Sequence, residues 1–479
     1  MKTPRLALAV LALGASLIPL ASASALSAPE AVVLHLPAPN SGLNQGYLPF
    51  QSCSSLGNCA IAGIYLGSRG FTSGVIEYQV KGTWRAPLAV TPPNGYIRAK
   101  GVSMQGLSCP SDGNCVALGQ YNSSADQLPF VKEQIKGVWH PSIALSLPAG
   151  AMSTGESATP RAITCATSGN CTVVGTYTTI ATTFTTQGFM VSEINGVWRH
   201  AVALTLPPGA NANPLVSLAQ VACWSPTSCL GVGTYVDDLN VTHAIVVPEV
   251  SGAWKRAMSI GLPGNASAFA GAQFNEVNCV SAGSCLAAGT YNTNTGAVEP
   301  LVAGSVLGVW DRASEVILPH AAKNPQTLLY GFKGVGCFDA GNCTFGGQFL
   351  DDAGRYQGFF ANVVNGNVQH AQVLPLPAGA LQSGHNGGVV SISCPALNKC
   401  VAGAAYLNAA NQYSALLVSE VNTKWSVDTT VTLPGNAPTV GIAGGVYSVQ
   451  CFATSTCQVS GSYQSGTNRY DGFSLLTGS

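Results

Sequence analysis

The chain has 479 residues with 20 Lys and Arg against 20 Asp and Glu, so charged side chains make up 8% and the formal net charge is zero. Average soluble proteins carry roughly 25% charged residues, and charge this sparse and balanced excludes charge-driven disorder and any basic surface for nucleic acid or anionic membrane. Fifty-five glycines, 28 prolines and 16 cysteines among 47% apolar residues point to a globular chain of short strands and many turns.

Residues 1–25 read as a signal peptide. Lys2 and Arg5 precede an apolar run from Leu6 to Leu20, and Ala21-Ser22-Ala23-Ser24-Ala25 supplies the small residues a signal peptidase needs. The run is short for a membrane span, and no later segment reaches about 18 uninterrupted apolar residues. The expectation is a secreted or cell-envelope protein, without an integral membrane span, whose residues 26–479 form a single domain.

From residue 53 onward the cysteines set a period. They fall at Cys53 and Cys59, Cys109 and Cys115, Cys165 and Cys171, Cys223 and Cys229, Cys279 and Cys285, Cys337 and Cys343, Cys394 and Cys400, Cys451 and Cys457. Every pair is C-x5-C, and the period of about 57 residues calls for a repeat architecture. Each period carries four strand-like segments. One leads into the first Cys, as in Val221-Ala222-Cys223. A second leaves the second Cys and ends in Gly-x-Tyr, as in Gly175-Thr176-Tyr177. A third follows a polar loop, as in Gly188 to Glu193, and a fourth runs from Gly-x-Trp to Leu-Pro, as in Gly196-Val197-Trp198 to Leu206-Pro207. These segments are rich in β-branched and aromatic residues, are bounded by Gly, Pro, Asn or Ser, and show no sustained 3.6-residue period.

Four strands repeated radially make a β-propeller, and eight repeats predict an all-β, eight-bladed ring. The last repeat ends at Gly472-Phe473-Ser474-Leu475 without its Gly-x-Trp strand. Ala31-Val32-Val33-Leu34-His35-Leu36-Pro37 matches the end of a fourth strand such as Ala201 to Pro207. The N-terminal strand is therefore expected to complete the last blade and close the ring, where an open solenoid would need caps.

Cys residues flanking a five-residue hairpin loop stand opposite one another at disulfide distance, and an even cysteine count in an exported chain favours eight bridges over zinc, whose ligands converge in fours. Gly57, Gly113, Gly169, Gly283 and Gly341, with Asn398, occupy the loop position suited to a left-handed residue. The recurring Trp84, Trp139, Trp198, Trp254, Trp310 and Trp425 read as inter-blade core, and Trp224 stands apart inside a Cys hairpin.

In a four-stranded blade the short Cys hairpins and Gly-x-Trp turns share one face of the disc. The longer, variable loops share the other, which is the candidate ligand face. Gln105, Arg161, Asn275 and Lys333 stand four residues before a first Cys, at the channel rim if the first strand is innermost, with Glu276 adjacent. Glu156, Arg98, Lys100 and His385 fall on the connectors, and Asp237-Asp238 and Asp351-Asp352 on the loops between second and third strands. Arg161, Glu276, Lys333, His385, Asp237, Asp238, Asp351 and Asp352 are the candidate ligand-binding residues. The Asp pairs are candidate calcium ligands, although neither lies in an EF-hand frame; no other cofactor and no metal site is expected. No G-x-S-x-G, H-E-x-x-H or glycine-rich phosphate loop occurs.

The repeat S-C-x5-C-x3-G-x-Y followed by G-x-W resembles that of secreted bacterial proteins of mostly unassigned role. More distantly it is similar to kelch repeats and to the end of a sialidase Asp-box, with no catalytic residue transferable. The function expected is an extracellular, monomeric binding module for a glycan or a surface protein. A carbohydrate-active hydrolase or lyase with carboxylates at the channel mouth is the alternative, and a structural envelope protein a second. Because titratable groups are few, stability is expected to depend little on pH.

Overall fold

The computed structural model describes residues 31–37, 46–67, 70–94, 96–97, 101–123, 126–151, 158–180, 184–269, 271–319, 334–339, 341–351, 354–381, 387–435, 437, 444–466 and 469–478, and these contain no helix. The proposed signal peptide lies outside them. The strands form eight antiparallel sheets, each ordered as the chain runs. Blade 1 comprises Gly46–Ser55, Asn58–Leu66, Thr72–Val80 and a fourth strand split into Thr83–Trp84 and Leu88–Val90. Blades 2 to 6 repeat this plan with first strands Val102–Ser111, Ala158–Thr167, Ser217–Ser225, Ala272–Ser281 and Val335–Asp339; blade 7 starts at Gly388–Ala396. Blade 8 is made of Gly444–Cys451, Cys457–Gly466 and Arg469–Leu476 with Val32–Leu34 as its outer strand, in the register Val32↔Ser474, Val33↔Phe473 and Leu34↔Gly472. The expected closure is therefore present.

First strands pack against first strands of the adjacent blades around the ring, so they line the axis. One hydrogen bond recurs between them. The N–H of the first Cys in a blade donates to the side chain preceding the first Cys of the blade before: Cys109 to Ser52 Oγ (2.9 Å), Cys165 to Ser108 Oγ (3.0 Å) and Cys451 to Ser393 Oγ (3.0 Å). The Ser-Cys dipeptide of the repeat thus joins neighbouring blades.

All eight disulfides are present, with Cα–Cα distances of 3.9–4.1 Å. They bridge strands close to the spacing of a directly opposed pair without mutual hydrogen bonds, which is about 4.5 Å. Gly57, Gly113, Gly169, Gly283 and Gly341 have φ between +68° and +94°, and Asn398 has +53°. The Gly-Asn-Cys sequence explains itself here. The Gly57 carbonyl accepts the Gly82 N–H at 2.9 Å and Asn58 Oδ1 accepts the Lys81 N–H at 3.0 Å, so the Cys hairpin holds the turn between third and fourth strands. A Cβ on Gly57 would stand 2.8 Å from Gly82 N.

Gly-x-Tyr has a second cause. Each first strand described at that point bulges four residues before its first Cys, as between Pro160 and Ala162 or Phe274 and Glu276. The carbonyl two residues before the extra one lies close over the second strand, where a Cβ on Gly289 would overlap Gln273 O and one on Gly233 would overlap Ser217 O.

The core lies between blades. Trp84, Trp139, Trp198, Trp254, Trp310 and Trp425 each pack into the interface with the preceding blade, and Trp425 stacks on Phe360 at 3.7 Å. Trp224 packs on the core shared by blades 4 and 5. Among the described residues no helix is long and apolar enough to cross a membrane.

Candidate functional site

A β-bulge re-aims the side chain of its extra residue. Each bulge leaves one extra residue on an axis-lining first strand, four positions before its first Cys. Gln105, Arg161 and Asn275 are these residues in blades 2, 3 and 5, with Ala219, Val390 and Tyr447 their equivalents in blades 4, 7 and 8. Arg161 is exposed there, and Glu276 is half-buried beside Asn275. Gln105 Nε2 donates to Ser103 Oγ at 3.1 Å. Gln105, Arg161 and Asn275 stand on separate blades. Lys333, His385 and Asp352, like Glu156, Arg98 and Lys100, lie outside the described residues.

Asp237 and Asp351 occupy corresponding loop positions, shared with Thr293 and Asn408, and each closes its own loop. Asp237 Oδ1 accepts the N–H groups of Leu239 (2.9 Å) and Val241 (2.8 Å), while His243 Nε2 lies 2.8 Å from Oδ2. Those bonds, the His243 contact foremost, hold the carboxyl below its usual range. Asp351 Oδ1 accepts the Arg355 N–H at 2.9 Å, and its Oδ2 meets Arg355 (2.7 Å) and Gln357. Asn408 Oδ1 accepts from Ala410 and Gln412 in the same way. These are Asx-type caps. Asp238 is exposed beside Asp237. Among the described residues no group of three His, Cys, Asp or Glu stands together to hold a metal ion.

At the seam between blades 8 and 1 the loop face carries three tyrosines that the charge-led sequence reading did not single out. Tyr47 and Tyr447 meet edge to face with ring centroids 5.1 Å apart. Ser462 Oγ donates to the Tyr447 hydroxyl at 2.9 Å. Tyr47 and Tyr470 are 47% and 37% exposed. Burial raises the pKa of Tyr447, with its neighbour Tyr470 adding to the effect, and burial likewise raises that of Tyr47. The result is a partly desolvated aromatic surface with hydroxyl groups at its edge, beside the channel mouth. Tyr447 sits four residues before Cys451, the spacing that marks the bulge in other repeats.

A second cluster lies on the loop side of blade 5, against blade 4. Asn265 Nδ2 donates to Glu315 Oε2 at 3.0 Å, and the Tyr291 hydroxyl donates to Asn265 Oδ1 at 2.9 Å. Glu299, opposite Tyr291 in the sheet, is pushed up to about 7 by burial and by the charge of Glu315.

Other buried carboxyls stand between blades. Trp198 Nε1 donates to Glu133 Oε1 across blades 3 and 2 at 2.6 Å. Burial together with Glu133 raises Glu193 to about 7. Glu77 reaches about 8 through burial, opposed by a hydrogen bond from the His35 backbone. The titratable groups are few, but burial raises several of these carboxyls, and each such group makes stability depend on pH.

The fold and these sites define an eight-bladed, disulfide-stapled β-propeller. No protein-family model matches the chain, so the kelch and Asp-box resemblances gain no support, and no curated protein matches it. Among solved structures, a protein of unknown function from Dyadobacter fermentans is similar at 12% identity and a TM-score of 0.38, over 94% of this chain and 98% of that one. The Hadza microbial sialidase Hz136 is similar at 13% identity and 0.38, over 70% and 71%. A PL25 ulvan lyase is similar at 9% and 0.41, over 82% and 95%. At these values the likenesses carry no argument about what this chain does.

Proposed function

We propose that this protein is a secreted, extracellular binding module that recognises a glycan on its loop face, at the tyrosine cluster beside the channel mouth. The observation that carries the reading is the pairing of Tyr47 and Tyr447 at 5.1 Å with exposed Tyr470 beside them. Aromatic faces with a few polar groups at their edge suit the apolar face and rim hydroxyls of a sugar ring. Eight disulfides accord with an oxidising compartment, as does the leader-like N-terminal sequence. Arg161, Gln105 and Asn275 supply polar contacts further around the channel.

The test is titration of the oxidised chain, residues 26–479, with a panel of oligosaccharides, read by calorimetry and thermal shift. Binding that weakens at least tenfold in Tyr47→Ala or Tyr470→Ala supports the reading. No binding across the panel, or binding indifferent to both variants, overturns it and favours a protein ligand. Glu299 and Glu315 support a second reading as a carbohydrate-active enzyme, because a carboxyl raised to about 7 beside a second carboxyl is the arrangement an acid catalyst uses. Product release from the same oligosaccharides, abolished in Glu299→Gln, would establish turnover.

A further inference from the structure

The interface between blades 5 and 6 departs from the repeat at three positions that face one another. Blade 6 reads Gly366-Asn367-Val368 where six other blades place a Trp at the third position. The residue opposite it in the sheet is Val363, where blades 3, 4 and 7 have Glu193, Glu249 and Glu420. The residue of blade 5 that faces across is Gly304, where blade 2 has Glu133 and blade 3 has Ser192; a Cβ built on Gly304 meets nothing within 4 Å. Each change removes side-chain volume from the same space.

The space stays open. A cavity of about 90 Å³ lies there on the Cys-hairpin side, walled by Leu286, Val302, Val363, Val368 and the Cys337–Cys343 disulfide. At six of the seven other interfaces an indole occupies the corresponding volume; the one between blades 7 and 8, where the outer strand is Val32–Leu34, has no Trp either. Apolar cavities that stay unfilled take up small aromatic molecules. The mouth departs from the repeat as well. Asp311 follows the Trp of blade 5, where blades 1, 3 and 4 have Arg85, Arg199 and Lys255, all with the same backbone bond to the third strand. Asp339 replaces the Ser or Thr found at Ser55, Ser111 and Thr167, and its Oδ1 accepts from Asn342 at 2.6 Å. Arg312 also lines the cavity, and its Nε donates to the Leu262 carbonyl in the connector between blades 4 and 5. The mouth thus has two carboxylates and one committed cation.

We infer that the cleft between blades 5 and 6 is a binding site for a planar aromatic amine, its ring filling the place of the missing indole and its ammonium facing Asp311 and Asp339. The site lies on the face opposite the glycan-binding surface proposed above, so either assignment stands or falls without the other.

The experiment is calorimetric titration of the oxidised chain with tryptamine, indole and indole-3-acetate. Tryptamine is expected to bind at least tenfold more tightly than indole, and indole-3-acetate more weakly than indole. Val368→Trp restores the repeat, so it should raise the melting temperature and abolish tryptamine binding. Gly304→Leu blocks the cavity from the other wall and serves if the first variant folds poorly. Asp311→Asn should bring tryptamine down to the affinity of indole. Absence of tryptamine binding to the unmodified chain, unchanged affinity in both blocking variants, or indole-3-acetate binding as tightly as tryptamine would each overturn the inference.

Discussion

Gln450 and Cys53 are bonded twice across the seam of the ring: the Gln450 side chain accepts the Cys53 N–H at 2.8 Å and donates to the Cys53 carbonyl at 2.7 Å. They are 397 residues apart. Gln450 stands where Ser52, Ser108 and Ser393 stand in other blades, and its longer arm makes a second bond that the serines do not. Gln51 adds a third, its Nε2 donating to Gln458 O at 3.0 Å. The join between first and last blades is thus reinforced beyond the pairing of Val32–Leu34 with the last strand.

Gln450→Ala should destabilise the chain by about 1–3 kcal/mol, since it leaves a part-buried N–H and C=O without their partner. Gln450→Ser, which restores the bond of the other blades, should recover part of that loss. Urea unfolding measures both; equal stability of Gln450→Ala and the parent would show that the seam bears no load.

Stability should fall as pH rises from about 4.5 to 8. Glu77 and Glu193 have folded-state values raised to about 8 and about 7, whereas the unfolded carboxyl titrates at about 4.3. The native state therefore holds protons that the unfolded state releases, and the contribution is complete below the unfolded value and lost as pH passes the folded one. Glu77→Gln should raise the melting temperature at pH 8.5 and change it little at pH 4.5. A melting temperature that rises with pH over this range contradicts the assignment.

Gly289→Ala should cost about 1–3 kcal/mol, as overpacking does, because the new methyl overlaps the Gln273 carbonyl oxygen beside the bulge. Gly296→Ala is a useful control, since its Cβ meets nothing within 4 Å and only its positive φ is penalised. A larger loss at Gly296 than at Gly289, measured by thermal unfolding, would separate the glycine requirement from the bulge.

Replacing the pair Cys165 and Cys171 by alanine should cost about 2 kcal/mol by the chain-entropy relation for so short a loop. The hairpin should keep its register, because Asn170 Oδ1 accepts the Asn195 N–H at 3.1 Å and Gly169 O accepts the Gly196 N–H at 2.8 Å. Native-state hydrogen exchange at Gly196 would report a loss of that register.

Local spacing alone determined the blade plan, the eight bridges and the closing strand of this protein. A strand, a hairpin and a disulfide over six residues are short-range objects, and repetition multiplies a weak pattern into a strong one. The left-handed glycines followed from the same local geometry, and Asn398 with them. What only the tertiary structure decided is which side chains meet between blades. Glu133 and Trp198 are separated by 65 residues, and Tyr47 meets Tyr447 from the opposite end of the chain. Their contact depends on which face of each strand the bulge turns toward a neighbour, and a shift of one residue would reverse it. Charge drew attention to Asp237 and Asp351, yet the backbone folds each loop back onto its own carboxylate. The cavity between blades 5 and 6 arises because Val368, Val363 and Gly304 are small at three points that only the packed ring brings face to face.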